Sequence, residues 1–426
     1  MTDFVPEYRL PTESAAQWTS VAFVVMLVLV IAGPAMTGGG DFSGSGNPAR
    51  QAGYLLIFAM MAAATLRQDG LVRALQTSVP CNLLLAYCWI SLLWAIEPAI
   101  GMRRLVLTTI IIYSVFITVQ TLGIAASLLL MRRVLIAVLF LNFACIAVLP
   151  GIGIVQFIPG GDPGTVGDWR GILAEKNNAG AVTAITFLIL LFDPRPRSKG
   201  AVWLMALALF FLLQTGSKTA LGIGLIALIA GLAARRYHWR FWPFALTGIA
   251  LASIGVAFLV VVFWGRITSV LHQQDAFTGR PQIWSALLGY VRDHWLLGSG
   301  YGSFWNIGAN SPIYAYAKQG SWLTQIASGH DGYLDVAAQI GVPGMILAVF
   351  ALFVHPLYRL VTDRRLSKYR PILAAMLIFC AGQNLTESTM LDRDYFVQVC
   401  LMWIIAGQSA IRRDRPRQNH DHGSTK

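Results

Sequence analysis

Residues 241–264 read FWPFALTGIALASIGVAFLVVVFW, with Arg240 before them and Gly265-Arg266 after. The run contains no charged side chain. A helix rising about 1.5 Å per residue needs roughly 20 such residues to cross a hydrocarbon layer of about 30 Å. This stretch therefore reads as a membrane-spanning helix. Beyond it lies the longest interval without another such run, residues 265–331, and then apolar sequence resumes at Tyr333. The chain is organised around that interval.

Working outward, apolar runs recur along the whole chain. Hydrophobic residues make up 56% of the 426 and charged residues 12%, about half the roughly 25% of soluble domains. A water-soluble core of this size would need a charged shell that the sequence lacks. The expected fold is an all-α polytopic membrane protein of about twelve spans. They fall near 18–36, 51–66, 80–96, 105–122, 134–157, 178–192, 200–214, 219–234, 241–264, 333–354, 371–386 and 395–410. Residues 124–133 read as an inner connection between the fourth and fifth spans, with an interfacial helix as the alternative. The organisation expected is a cytoplasmic segment 1–17, one transmembrane domain 18–410 with an outer loop 265–331, and a disordered cytoplasmic tail 411–426.

The net charge of +12 raises a nucleic-acid partner, but its distribution excludes one. Threaded this way, 21 of the 32 Lys and Arg fall in inner segments and 11 outside, as the positive-inside rule requires. Both termini are then cytoplasmic. The five cysteines all lie in apolar runs without metal-site spacing, so neither a metal site nor disulfides are expected.

The outer cations run against the rule, and several sit in polar clusters rich in Gly and Asn. One is Trp169-Arg170-Gly171-Ile172-Leu173 with Glu175-Lys176-Asn177-Asn178 and Gly180. Another is Thr215-Gly216-Ser217-Lys218-Thr219. A third is Thr278-Gly279-Arg280 with Ile283-Trp284, followed by Leu297-Gly298-Ser299-Gly300-Tyr301-Gly302. The fourth is Ser328-Gly329-His330-Asp331-Gly332-Tyr333-Leu334, with Gly341-Val342-Pro343-Gly344 after it. Gly lets the backbone approach a ligand closely. The Arg fork matches phosphate oxygens, and each charge-assisted hydrogen bond contributes roughly 1.5–3 kcal/mol.

These elements, in this order and at these span edges, resemble the O-antigen ligase and Wzy-type polymerase superfamily. Within it they are most similar to the exopolysaccharide polymerase branch that builds succinoglycan-type polymers. The likeness covers about residues 80–400. Glu175 departs from it, where the branch often has His, and so does Asp331, where Asn is common. The resemblance implies a GT-C-like fold in the bacterial inner membrane with its site on the periplasmic face. It implies a metal-independent, inverting glycosyltransferase without a cofactor. The implied donor is a glycan on undecaprenyl diphosphate, and the acceptor is a sugar hydroxyl. The bilayer, a chain-length regulator and export proteins are the further partners it suggests.

On this reading Arg170 and Arg280 clamp the diphosphate, and His330 orients or deprotonates the acceptor hydroxyl. Lys176 and Lys218 support that clamp, and Asn177 and Asn178 bind sugar or phosphate. Arg266 completes that set, although its place beside a span also fits a structural anchor. Bland alternatives stand beside each role. Arg170 and Arg280 also fit interfacial anchors, Lys218 a snorkelling lysine, and His330 a solvated loop or cap. Gly298, Gly300 and Gly302 read as a turn, because no βαβ unit surrounds them. Asp392-Arg393-Asp394 reads as a solvated turn and Glu387 as a helix-end carboxylate, with a second base as its alternative. Residues 281–297 read as an interfacial helix resting on the bilayer or the bundle. Three function classes remain: polysaccharide polymerase, lipid A–core ligase, and lipid-linked glycan flippase. Transporters place ionisable groups near mid-membrane, whereas these clusters sit at span edges.

Overall fold

The computed structural model describes residues 12–36, 46–66, 69–157, 163–196, 199–263, 280–317, 323, 326–393 and 395–413. The first half builds α1 (Glu13–Met36), α2 (Pro48–Thr65), α3 (Gly70–Leu75), α4 (Val79–Ile90), α5 (Pro98–Val148) and α6 (Pro150–Gly153). Then come α7 (Lys176–Phe192), α8 (Lys199–Gln214), α9 (Lys218–Arg236) and α10 (Trp242–Val262). The last third holds α11 (Arg280–Asp293), α12 (Ile313–Tyr316), α13 (Gly332–Val349), α14 (His355–Thr362), α15 (Arg370–Gln383) and α16 (Phe396–Arg413). Among the described residues there is no strand, only a single bridge between Ile154 and Trp169.

The helices start where the sequence supplies caps. Asn47 accepts from the Arg50 amide just before Pro48, and Ser78 accepts from the Cys81 amide just before Val79-Pro80. Both use side-chain oxygens to satisfy amides that the first turn leaves open. Among the described residues four segments are long and apolar enough to cross a bilayer, namely Glu13–Gly33, Pro98–Val148, Lys218–Arg236 and Gly332–Thr362. Shorter apolar helices stand among them. Leu93, Val148, Trp203, Phe244 and Phe258 face outward, a surface that water disfavours and lipid accommodates. The chain is an all-α membrane protein.

Helix α5 is 51 residues long. Straight, it would reach about 77 Å, more than twice a hydrocarbon layer. It does not run straight, because Gly123 has φ 77 and ψ 167. The two limbs fold back on each other there. The first limb carries Arg104 to the loop 302–306, and the second carries Asn142 to the Gly171–Ile172 turn. Arg132, near the joint, pairs with Asp193 at 2.8 Å. The expected inner connection at 124–133 is thus helical and belongs to the second limb. One glycine with positive φ makes the reversal without any polar loop.

Close helix contacts use small residues. A Cβ on Gly382 would meet Ile223 at 2.7 Å, and one on Gly231 would collide with Phe192. Backbones therefore approach between α15, α9 and α7, the usual device where lipid removes the hydrophobic drive for association. Trp403 donates to the Ser127 hydroxyl at 2.9 Å and ties α16 to α5.

Residues 264–279 lie outside the described part, and with them Arg266. The described remainder of the long interval, 280–317, 323 and 326–331, packs against the bundle. α11 buries Ile283, Leu287 and Tyr290 against Phe304 and Trp305, so its apolar face rests on protein. The Gly298–Gly302 segment forms the expected turn. Ser299 donates its amide to Ala338 and accepts from Ile96, and the Tyr301 amide donates to Ser91. Gly300 has φ +83, and a Cβ there would collide with the Ala95 backbone. Gly300→Ala is expected to cost at least about 1–3 kcal/mol, read as a lower thermal midpoint of the purified protein in detergent. An unchanged midpoint would contradict this packing.

Candidate active site

Past the C-terminus of α15 the chain makes a tied turn. Asn384 Oδ1 accepts from the Thr389 amide and hydroxyl at 3.1 and 3.0 Å, and the Glu387 amide donates to Gln383 O at 2.9 Å. This turn aims the Glu387 carboxylate inward, where its side chain is 8% exposed. A carboxylate so placed loses several kcal/mol of hydration unless donors replace water.

Three donors do, from three distant segments. Arg280 Nη2, at the first residue of α11, reaches Glu387 Oε1 at 2.7 Å. Asn177 Nδ2, in the first turn of α7, reaches the same oxygen at 2.8 Å. His330 Nδ1 reaches Oε2 at 3.1 Å. An ionised carboxylate only accepts, so Nδ1 carries the hydrogen and Nε2 is left for a ligand. Asp331 caps the adjoining α13, accepting from the Tyr333 and Leu334 amides. Thus α7, α11 and α13 all begin around Glu387, and the positive ends of their dipoles favour negative charge there.

The His330 turn is held from several sides. Trp284, the aromatic of the Arg280-x-x-Ile-Trp element, donates to Gly329 O at 3.0 Å. The Gly329 amide donates to Asp335, the Asp331 amide to Ser388, and the Gly332 amide to Asn384 O. His330 itself sits at φ 49, a region that costs a non-glycine residue free energy and persists only where surroundings impose it.

Burial pushes the imidazole pKa down, but the hydrogen bond and charge of Glu387 outweigh this, aided by Glu175 and opposed by Arg280, so the net direction is up. Glu175 exposes its side chain into a cavity rather than to open solvent. Desolvation there and the charge of Glu387 push its carboxyl pKa up, against His330 and Arg280. Burial also lifts Asp331 to about 6, partly offset by the two amides it caps.

A cavity of about 470 Å³ is lined by Glu175, Asn178 and His330 together with Arg104, Asn306 and Asp392. Asp392 and Arg393 therefore do not form the solvated turn expected from sequence. Tyr301 Oη donates to Leu391 O at 2.6 Å and the Leu391 amide donates to Gln398, which draws that turn inward. Asp394 lies outside the described residues.

Other candidates fall elsewhere. Arg170 directs its guanidinium at the carbonyls of Ile152 and Ala174, so it holds its own loop together. Lys176 pairs with Asp168 at 2.6 Å. A Cβ on Gly216 would collide with Asp168, so this pair also seats the Thr215–Ser217 turn. Lys218 is exposed at the start of α9. Arg104 grips the carbonyls of Gly302, Trp305 and Asn306 at 2.6, 2.7 and 3.0 Å, a scaffold role. Glu387 is the residue that sequence reading set aside. Its only signal was a carboxylate beside Asn384 and Thr386 at a span end.

Because the folded pKa of His330 is raised, its contribution to stability is complete below about pH 6.5 and is lost as pH rises through the folded value. In nitrogen-labelled histidine spectra, the signal removed by His330→Gln should titrate above 6.5. Glu387→Gln should lower that midpoint, because burial and Arg280 then act without the main opposing cause. A midpoint at or below 6.5, or one that ignores Glu387→Gln, would contradict the pairing.

Residues 200–349 match a family model described as O-antigen ligase. The matched segment contains Lys218, Arg280, His330 and the Gly298–Gly302 turn, and it ends before Glu387. No curated protein matches the chain. The family match supports the O-antigen ligase and Wzy superfamily, and with it an enzyme of the ligase or polymerase type in a membrane.

Proposed function

We propose that this chain is an inner-membrane polysaccharide polymerase of exopolysaccharide synthesis. It transfers a glycan from undecaprenyl diphosphate to a sugar hydroxyl. The observation that carries the reading is the single Glu387 carboxylate that joins Arg280, Asn177 and His330 beside a polar cavity. Twelve spans, a GT-C-like arrangement within one transmembrane domain, cytoplasmic termini and a periplasmic site complete the proposal. The end of the bundle holding Arg132 and Asp193 is then cytoplasmic.

Each residue has a defined task. Arg280 engages Glu387 through Nη2 and presents the rest of its fork to the donor diphosphate. The first-turn amides of α7, with Asn177, add donors where a helix N-terminus attracts anions. His330 Nε2 takes the proton of the acceptor hydroxyl as its oxygen attacks the anomeric carbon. The bond from that carbon to the diphosphate oxygen breaks, and its electron pair leaves with the diphosphate. Attack opposite the leaving group inverts the centre. Glu387 steadies the imidazolium that forms. Fixed cations and helix ends can neutralise the leaving group without a metal ion. Arg170, Lys176, Lys218 and Arg266 act, on this proposal, in shaping and charging the rim where the lipid headgroup arrives.

A second reading, ligation of polysaccharide to lipid A–core, shares this chemistry and is favoured by the description of the matched family. A flippase is less well supported, because the ionisable groups gathered here stand at helix ends.

Purified protein should convert lipid-diphosphate repeat units into a ladder of lengthening chains, in the presence of EDTA as well. A single addition onto lipid A–core alone would favour the ligase instead. Arg280→Ala should slow transfer by about 10²–10³-fold and His330→Ala by about 10²–10⁴-fold, with protein level unchanged. Full activity in either variant removes that residue from the mechanism. Transfer should rise with pH through the raised His330 pKa, since only the neutral imidazole accepts a proton. A rate that falls over that interval would contradict the base role.

A further inference from the structure

The Glu387 cluster and the cavity beside it are not the same place. The cavity wall includes His330 and Glu175 but neither Arg280 nor Asn177. Glu387 bonds both the cation that suits a diphosphate and the imidazole that suits a hydroxyl, and of these two the imidazole lines the cavity.

We propose that this cavity is a saccharide subsite that holds the terminal sugar units of the acceptor glycan, with Asn306 and Gln339 as recognition residues in its wall. The inference rests on the glycosyl-transfer reading and adds where the acceptor lies and what reads it.

Polar side chains without protein partners point to it. Among the described residues Asn178, Asn306 and Ser328 make no side-chain hydrogen bond, and all three line the cavity. Gln339 uses only its carbonyl oxygen, which accepts from the Gly302 amide at 2.8 Å, and so its amide hydrogens are left over. His330 uses only Nδ1. Half-buried amides and hydroxyls of a folded chain normally find partners in the chain or in water. Several such groups left open around one cavity are the usual mark of a polar ligand site.

Backbone conformation agrees. The described non-glycine residues with positive φ are Asp69, Asn306, His330 and Leu391. The last three all line this cavity. Such conformations concentrate where side chains are held for a ligand.

The wall mixes amides with carboxylates and cations, Arg393 among them, a set that suits a hydroxyl-rich ligand. Amides both donate and accept, as hydroxyl groups require, and Glu175 and Asp392 add acceptors. Tyr395, half-buried in the lining, is an aromatic residue against which a sugar face can pack. Arg104, the buried guanidinium of the wall, already donates to the three carbonyls of Gly302, Trp305 and Asn306. It serves as scaffold and not as an anion clamp.

The test uses Asn306→Gly and Gln339→Glu in the full-length purified protein. Glycine keeps the positive φ at 306, and glutamate keeps the acceptor that the Gly302 amide needs. Lipid-linked repeat units extracted from cells lacking this protein serve as donor. Oligosaccharides from partial hydrolysis of the same cells' polysaccharide serve as acceptor. Each variant should raise the acceptor half-saturation about tenfold, the loss of about 1.4 kcal/mol, with kcat and the donor half-saturation unchanged. Unchanged acceptor half-saturation, or a fall in kcat alone, with an active wild type would overturn the subsite and leave the transfer reading standing. If the wild type transfers nothing, titration of tryptophan fluorescence with the same oligosaccharides decides. Binding weakened about tenfold by both variants supports the subsite while the transfer reading fails. No binding, or equal binding by all three proteins, overturns the subsite.

Discussion

A carboxylate at the inner end of a helix turn is the constraint on which this architecture depends. Glu387 is almost fully removed from solvent, and the ring of donors around it replaces lost hydration. The donors come from positions 177, 280 and 330, segments that share no local sequence. To meet Glu387, α7, α11 and α13 must all begin at the same end of the bundle. The small residues on α9 and α15, the reversal at Gly123 and the tied loop 297–306 make that geometry possible. The electrostatic centre and the helix packing are therefore one problem with one solution.

The same end of the bundle stores conformational strain. His330, Leu391 and Asn306 hold positive φ, and each is fixed by contacts from other segments. Trp284 on Gly329, Tyr301 on Leu391 and Arg104 on the Asn306 carbonyl are those contacts. Residues in the sequence elements that do not touch the cluster thus shape it indirectly. This explains why Trp284 and the Gly298–Gly302 turn belong to the same pattern as Arg280 and His330. It also gives Arg104 and Arg170 work that is architectural, since their forks hold backbone carbonyls.

Much of this was legible in the sequence because a bilayer leaves few options. Apolar length gave helices, and the loop helix beginning near Arg280 followed from the spacing of Ile283, Leu287 and Val291. Gly-rich clusters marked where the backbone turns tightly, and they pointed to Arg280, Asn177 and His330, which the fold gathers. What was hidden depended on contacts far apart along the chain. Glu387 looked like an ordinary helix-end carboxylate, because nothing near it in sequence names its three donors. Arg170 and Arg280 are alike as residues, yet one meets carbonyls of its own loop and the other a buried carboxylate. The Asp392–Arg393 turn looked solvated because the tyrosine that draws it inward is about ninety positions away. The break at Gly123 falls between the expected fourth span and the connection after it, but the apolar sequence on both sides did not show that one residue would make the joint without a loop.

The most direct test of the central claim is a thermodynamic cycle on the purified protein, combining Glu387→Ala with Arg280→Ala and reading unfolding free energy. If the carboxylate is what holds the guanidinium in place, each single change leaves a buried partner unpaired, and the double variant loses much less than the sum of the two. The expected coupling is about 0.5–3 kcal/mol. Losses that simply add would mean that the two side chains do not meet, and would contradict the account.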